Sequence, residues 1–111
     1  MPLYITRGNY TRDAVAGMMA KPEDRAEVLS KIFASGGAKL HAMYNTFGEY
    51  DFLIIAEAPS EKEIVALMLV GAGTGSVTNL NTTVAWTSAE MKDAFAKAGA
   101  LAGQFRPAGR A

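Results

Sequence analysis

The chain has 111 residues, half of them apolar, which is enough for one domain with a hydrophobic core and too few for two. Eleven basic residues balance eleven acidic ones, so no net charge draws it to nucleic acid or an anionic membrane, and the lack of cysteine removes disulfides, thiolate ligands and a cysteine nucleophile together. Met1 to Thr6 shows no basic segment ahead of an apolar core, and no apolar run reaches membrane-spanning length, so a cytoplasmic protein is expected.

Leu3 to Arg7 alternates Leu3 and Ile5 against Tyr4 and Thr6, which predicts a first strand. Thr11 is a candidate N-cap for a helix carrying Val15, Met18 and Met19, interrupted at Pro22. Glu23 and Asp24 suit the positive end of a resumed helix, whose apolar residues Val28, Leu29, Ile32 and Phe33 keep helical spacing to the Gly36-Gly37 stop. Lys39 to Thr46 and Tyr50 to Ala58 read as a second and third strand joined by a two-residue Gly48-Glu49 turn. Ser60-Glu61-Lys62-Glu63 is a capping box ahead of Ile64, Leu67 and Met68. After the loop Gly71 to Gly75, the threonine-rich run Val77 to Trp86 predicts a fourth strand. Thr87 to Glu90 offers another cap for a short terminal helix bearing Met91 and Phe95. A domain over 1–98 and a loose tail over 99–111 follow.

The order β-α-β-β-α-β plus a terminal helix predicts an α+β, ferredoxin-like fold: a four-stranded antiparallel sheet with helices on one face. The hairpin pairs Phe47 with Tyr50, Asn45 with Phe52 and Met43 with Ile54 on the face expected under the helices. Its other face pairs Thr46 with Asp51, Tyr44 with Leu53 and Ala42 with Ile55, and is also substantially apolar. A solvated sheet face alternates more cleanly, so a second copy is expected to cover it, giving a homodimer or higher homo-oligomer. With the first strand beside the third, Tyr4 and Thr6 are expected to join Tyr44, Thr46 and Asp51 there, as a small-molecule pocket or as a close-packed seam.

Met1-Pro2-Leu3-Tyr4-Ile5-Thr6, Gly8-Asn9-Tyr10-Thr11 and Phe47-Gly48-Glu49-Tyr50-Asp51-Phe52 together resemble the GYD domain family. Glu57-Ala58-Pro59 and Ala85-Trp86-Thr87 fit the same pattern, so the likeness spans roughly residues 1 to 95. The resemblance implies a dimeric α/β-barrel assembly and no particular reaction. Other dimeric barrels include cofactor-free monooxygenases, haem-degrading enzymes and small-ligand sensors, an analogy of fold alone.

Chemistry-bearing residues are few. His41 is the only histidine, the residue type suited to proton transfer near neutral pH; alternation assigns it to the Met43/Asn45 face, where a structural role is the ordinary one. Asp51 and Glu49 could divide acid and base roles, or Glu49 is a solvated turn residue and Asp51 an anchor for the turn. Gly71 to Ser76 follows a helix, opens onto a strand and lacks lysine, unlike a phosphate-cradling loop. The internal methionines Met18, Met19, Met43, Met68 and Met91 suit core filling. No metal site or cofactor is implied. A small-ligand-binding or sensing domain is the leading expectation, beside a cofactor-independent oxygenase or isomerase using Asp51 or His41 and a purely structural assembly module.

Overall fold

The computed structural model describes residues 1–109. The chain runs β1 (Leu3–Tyr10), α1 (Arg12–Ala20), α2 (Arg25–Ser35), β2 (Lys39–Asn45), β3 (Phe52–Glu57), α3 (Glu61–Gly73), β4 (Val77–Ala85) and α4 (Ser88–Ala102). The strands form one antiparallel sheet in the order β2-β3-β1-β4. This is the expected α+β, ferredoxin-like arrangement, with the first helical segment split by Pro22 into α1 and α2.

Caps written in the sequence start the helices. Thr11 Oγ1 accepts from Ala14 N at 3.1 Å ahead of α1, and the Asp24 carboxylate accepts from Ala26 N at 3.0 Å ahead of α2. At α3 the Glu63 carboxylate accepts from Ser60 N at 3.1 Å and from Ser60 Oγ at 2.6 Å. At α4, Thr87 and Glu90 exchange bonds of 3.1 and 2.9 Å. Each satisfies a donor that the first helical turn leaves free.

The core lies on one face of the sheet. Phe33 of α2 and Ile64 and Leu67 of α3 pack on Phe52, Ile54 and Ala56 of β3 and on Tyr4 of β1, all buried. Each large apolar side chain buried in this way contributes about 1.5–3 kcal/mol. Across β1 and β3 the inward partners are Tyr4 with Ala56, Thr6 with Ile54 and Gly8 with Phe52.

Three details differ from expectation. β1 continues to Tyr10, because β4 follows it there after a register shift between Arg7 and Asn9. The β2–β3 connection is a six-residue loop, Thr46 to Asp51, closed by Thr46 N donating to Asp51 O at 2.8 Å. Phe47 leaves the ladder at φ +51°, so Gly48-Glu49 is not a tight two-residue turn. α4 is longer than expected and takes in residues 99–102, assigned above to the tail; the last two tail residues, 110 and 111, lie outside the described ones. α4 stands off the body, with Phe95, Leu101 and Phe105 exposed. The radius of gyration is accordingly 18.3 Å, against about 13 Å for a compact chain of this length. Among the described residues no helix is long and apolar enough to cross a membrane.

The α3 cap makes a pH-dependent contribution. The Ser60 hydroxyl, followed by backbone amides of the cap, holds the Glu63 carboxyl below its ordinary 4.5. A depressed folded-state value means that the stabilisation is complete above the unfolded-state value and disappears as pH falls through the folded one. Glu63→Gln is therefore expected to lower the urea midpoint at neutral pH, with the gap to wild type closing through the acid range. Equal midpoints at neutral pH would refute this role.

Candidate functional site

The polar loop between β2 and β3 is a clasp on β1. Asp51 N donates to Gly8 O at 2.8 Å, and an Asp51 carboxylate oxygen accepts from Tyr10 N at 2.9 Å. Asn9 Nδ2 donates to Glu49 O at 3.3 Å. The clasp grips β1 where its register with β4 shifts, a point at which the ladder leaves amides unpaired. Thr46 Oγ1 donates to Tyr50 O at 2.5 Å and braces the loop from within. The Arg7 guanidinium stands 5.7 Å from the centre of the Tyr50 ring. Asp51 is thus bound to backbone, and Thr46 to the loop that carries it.

The expected convergence of Tyr4, Thr6, Tyr44, Thr46 and Asp51 on one face does not form. Tyr4 and Thr6 point into the helix-covered core, both 2% exposed, because the β1–β3 register sets them opposite Ala56 and Ile54. Thr6 Oγ1 lies 2.8 Å from Thr82 Oγ1. The Tyr4 hydroxyl is buried without a partner in hydrogen-bonding geometry; burial first, then the nearby charges of Glu61 and Glu63, pushes it above its ordinary value. Tyr44 does lie on the open face, opposite Leu53 and 60% exposed.

His41 is also displaced from its expected face. A bulge between Leu40 and Ala42 interrupts the alternation. It turns His41 toward Glu57, with Nε2 2.8 Å from the carboxylate. Glu57 follows Leu53 and Ile55 on the open face, so the histidine–carboxylate pair borders that face. Among the described residues no three His, Asp or Glu side chains gather as metal ligands would.

Two features remain that could bind something. The open sheet face carries Leu3 and Ile5 of β1, Leu53 and Ile55 of β3, and Ala42 and Tyr44 of β2. On the other side, between the sheet and α1, α2 and α3, lies a half-open cleft of about 480 Å³. Its floor is Phe52, Ile54 and Met43; Phe33, Leu67 and Met68 form walls. Next to it a hollow of about 180 Å³ shares Tyr10, Met18, Glu23, Arg25 and Met43 and adds Asp24, Ala26 and Asn45. The Tyr10 hydroxyl donates to Asn45 Oδ1. Burial pushes that hydroxyl above its ordinary value, and the charge of Arg25 opposes the rise. The sequence reading missed this cleft; its one trace is the run of small residues Ala14 and Gly17 at helical spacing on α1, both in its lining.

A family model, the GYD domain, matches residues 4–95. A Thermus thermophilus relative named glutamine synthetase and cystathionine beta-lyase binding protein is 31% identical over 77 residues, 69% of this chain and 81% of the relative. Two crystal structures overlay more loosely. One, of a Thermus thermophilus protein, has 15% identity and a TM-score of 0.49 over 79% of this chain and 96% of its own. The other, a hypothetical protein from Pyrococcus horikoshii, has 18% identity and a TM-score of 0.49 over 79% of this chain and 93% of its own.

Two substitutions check the clasp and the buried tyrosine by chemical denaturation. Asp51→Ala leaves the Tyr10 amide without its charged acceptor and is expected to cost about 1–3 kcal/mol. Tyr4→Phe removes a hydroxyl that has no partner in hydrogen-bonding geometry and is expected to leave the denaturation midpoint unchanged or to raise it. Clear destabilisation by Tyr4→Phe would show that the hydroxyl has a partner in solution.

Proposed function

We propose that this chain, which belongs to the GYD domain family, is a self-associating binding module that presents its outer surface to protein partners. The observation that carries the reading is the second apolar face of the sheet. Leu3, Ile5, Leu53 and Ile55, each half-buried, and the exposed Tyr44 form a surface bordered by Arg7 that α1, α2 and α3 do not cover. Large exposed apolar patches mark interaction sites, and a two-fold dimer covers two such faces with one contact. The name of the Thermus relative, a protein that binds two enzymes, supports a protein partner. Glutamine synthetase and cystathionine beta-lyase of the same host are the first partners to try.

The alternative is a cofactor-independent enzyme. The observation favouring it is the His41–Glu57 pair at 2.8 Å, since an imidazole held by a carboxylate at a bulge is a competent proton-transfer pair. Asp51 is the weaker candidate, because its carboxylate already accepts from the Tyr10 amide.

Sedimentation of the full chain tests the reading. Wild type is expected to run as a dimer at micromolar concentration. Ile55→Glu, which puts a carboxylate in the middle of the open face, is expected to run as a folded monomer with an unchanged far-ultraviolet spectrum. A wild-type monomer, or an Ile55→Glu dimer, would refute the open face as the contact. Turnover of any substrate abolished by His41→Ala with the dimer intact would favour the enzymatic alternative.

A further inference from the structure

We propose that α4 is an arm that seats its apolar side on a second copy of the chain. The inference rests on the open-face dimer proposed above and adds a second surface to it.

Within α4, Met91, Ala94, Phe95, Ala98, Leu101 and Ala102 recur at steps of three and four, so they share one side of the helix. None of them is buried, and Phe95 and Leu101 are 69% and 62% exposed. The molecule is accordingly drawn out to 64 Å along its longest axis and 30 Å along the next. A helix of 15 residues is close to the length at which an unsupported helix is marginal in water. Its apolar side needs a cover that the single chain does not provide.

What supplies the cover follows from where the arm begins and from its charges. Thr83 and Ala85 near the end of β4 pair with Ile5 and Leu3 of β1, and residues paired across strands share a face. The open face therefore runs across β1 to the last residue of β4. From there Trp86, 63% exposed, and the cap Thr87 lead directly into α4. Two copies joined through their open faces thus place the root of each α4 at the rim of the contact. A helix about 22 Å long starting at that rim extends over the partner and continues the buried surface.

The polar side argues against a lipid surface as the cover. Helices that lie on anionic membranes carry a basic face. In α4, Glu90 and Asp93 balance Lys92 and Lys97, which suits the surface of another neutral chain.

The test is sedimentation equilibrium of the full chain, paired with hydrogen exchange of the α4 amides. Phe95→Glu keeps a good helix former and is expected to weaken the wild-type dimer at least about tenfold, because each dimer loses two seated rings. Ala96→Glu, on the polar side, is expected to leave the dimer unchanged. The wild-type α4 amides are expected to slow as the chain passes from monomer to dimer, and to stay fast in Ile55→Glu. A wild-type dimer that Phe95→Glu does not weaken overturns the inference and leaves the open face standing. A wild-type chain that is monomeric at every concentration removes both. Slow α4 amides in a monomeric Ile55→Glu chain would show α4 folded on its own body, which also overturns the inference. If Phe95→Glu dissociates a dimer that Ile55→Glu leaves intact, α4 is the contact and the open face is not.

Discussion

β1 is hydrogen-bonded along both edges, to β3 and to β4, and its pleat decides which side of the whole sheet each residue faces. Tyr4, Thr6 and Gly8 go inward, so Leu3, Ile5 and Arg7 go outward. The strand yields at one place, between Arg7 and Asn9, and there it is held most closely. A Cβ on Gly8 would stand 2.8 Å from both Leu80 Cδ2 and Phe52 Cζ, so glycine is what lets these two side chains close over the backbone. Asp51 fastens the same point from the neighbouring loop. Gly8 and the Glu49-Tyr50-Asp51 run, on which the sequence resemblance rests, thus meet at one mechanical junction.

That junction explains what the sequence could and could not disclose. The β2–β3 register was legible, including Met43 opposite Ile54 and Tyr44 opposite Leu53, because a short connection ties the two strands locally. The register of β1 on β3 was not. Two helices and a strand intervene, and a shift of one residue moves every side chain to the other face. Alternation alone therefore puts Tyr4 and Thr6 on the open side. His41 departs from its expected face for a different reason: the bulge at Leu40/Ala42 has no glycine or proline to announce it. The helix starts were legible at Thr11, Ser60 and Thr87, since a cap is written in three or four consecutive residues. The cleft was not, because it is formed by small residues on α1 together with side chains from six other elements.

The two exposed apolar regions have one origin. A sheet with apolar residues on both faces needs two covering layers, and α1, α2 and α3 supply only one. Within that layer α2 lies over β2 and α3 reaches β4, while α1 buries none of its residues. The open face is therefore a shortage of elements, and the cleft a shortage of side-chain volume. Cavities of the second kind weaken a core by about 24 cal/mol for each Å³ that stays empty. A half-open cleft is partly relieved of that cost by solvent, so the domain can keep it.

α4 joins the sheet through Trp86 and Thr87, and its cap uses only Thr87 and Glu90, both its own. Its winding and unwinding therefore disturb no bond of the sheet. An isolated helix shorter than about 12–15 residues is marginal in water, and α4 has 15 residues. With no residue buried, its amides in the single chain are expected to exchange faster than those of β1 and β3. A contact that seats the α4 face would couple its winding to the stability of the sheet.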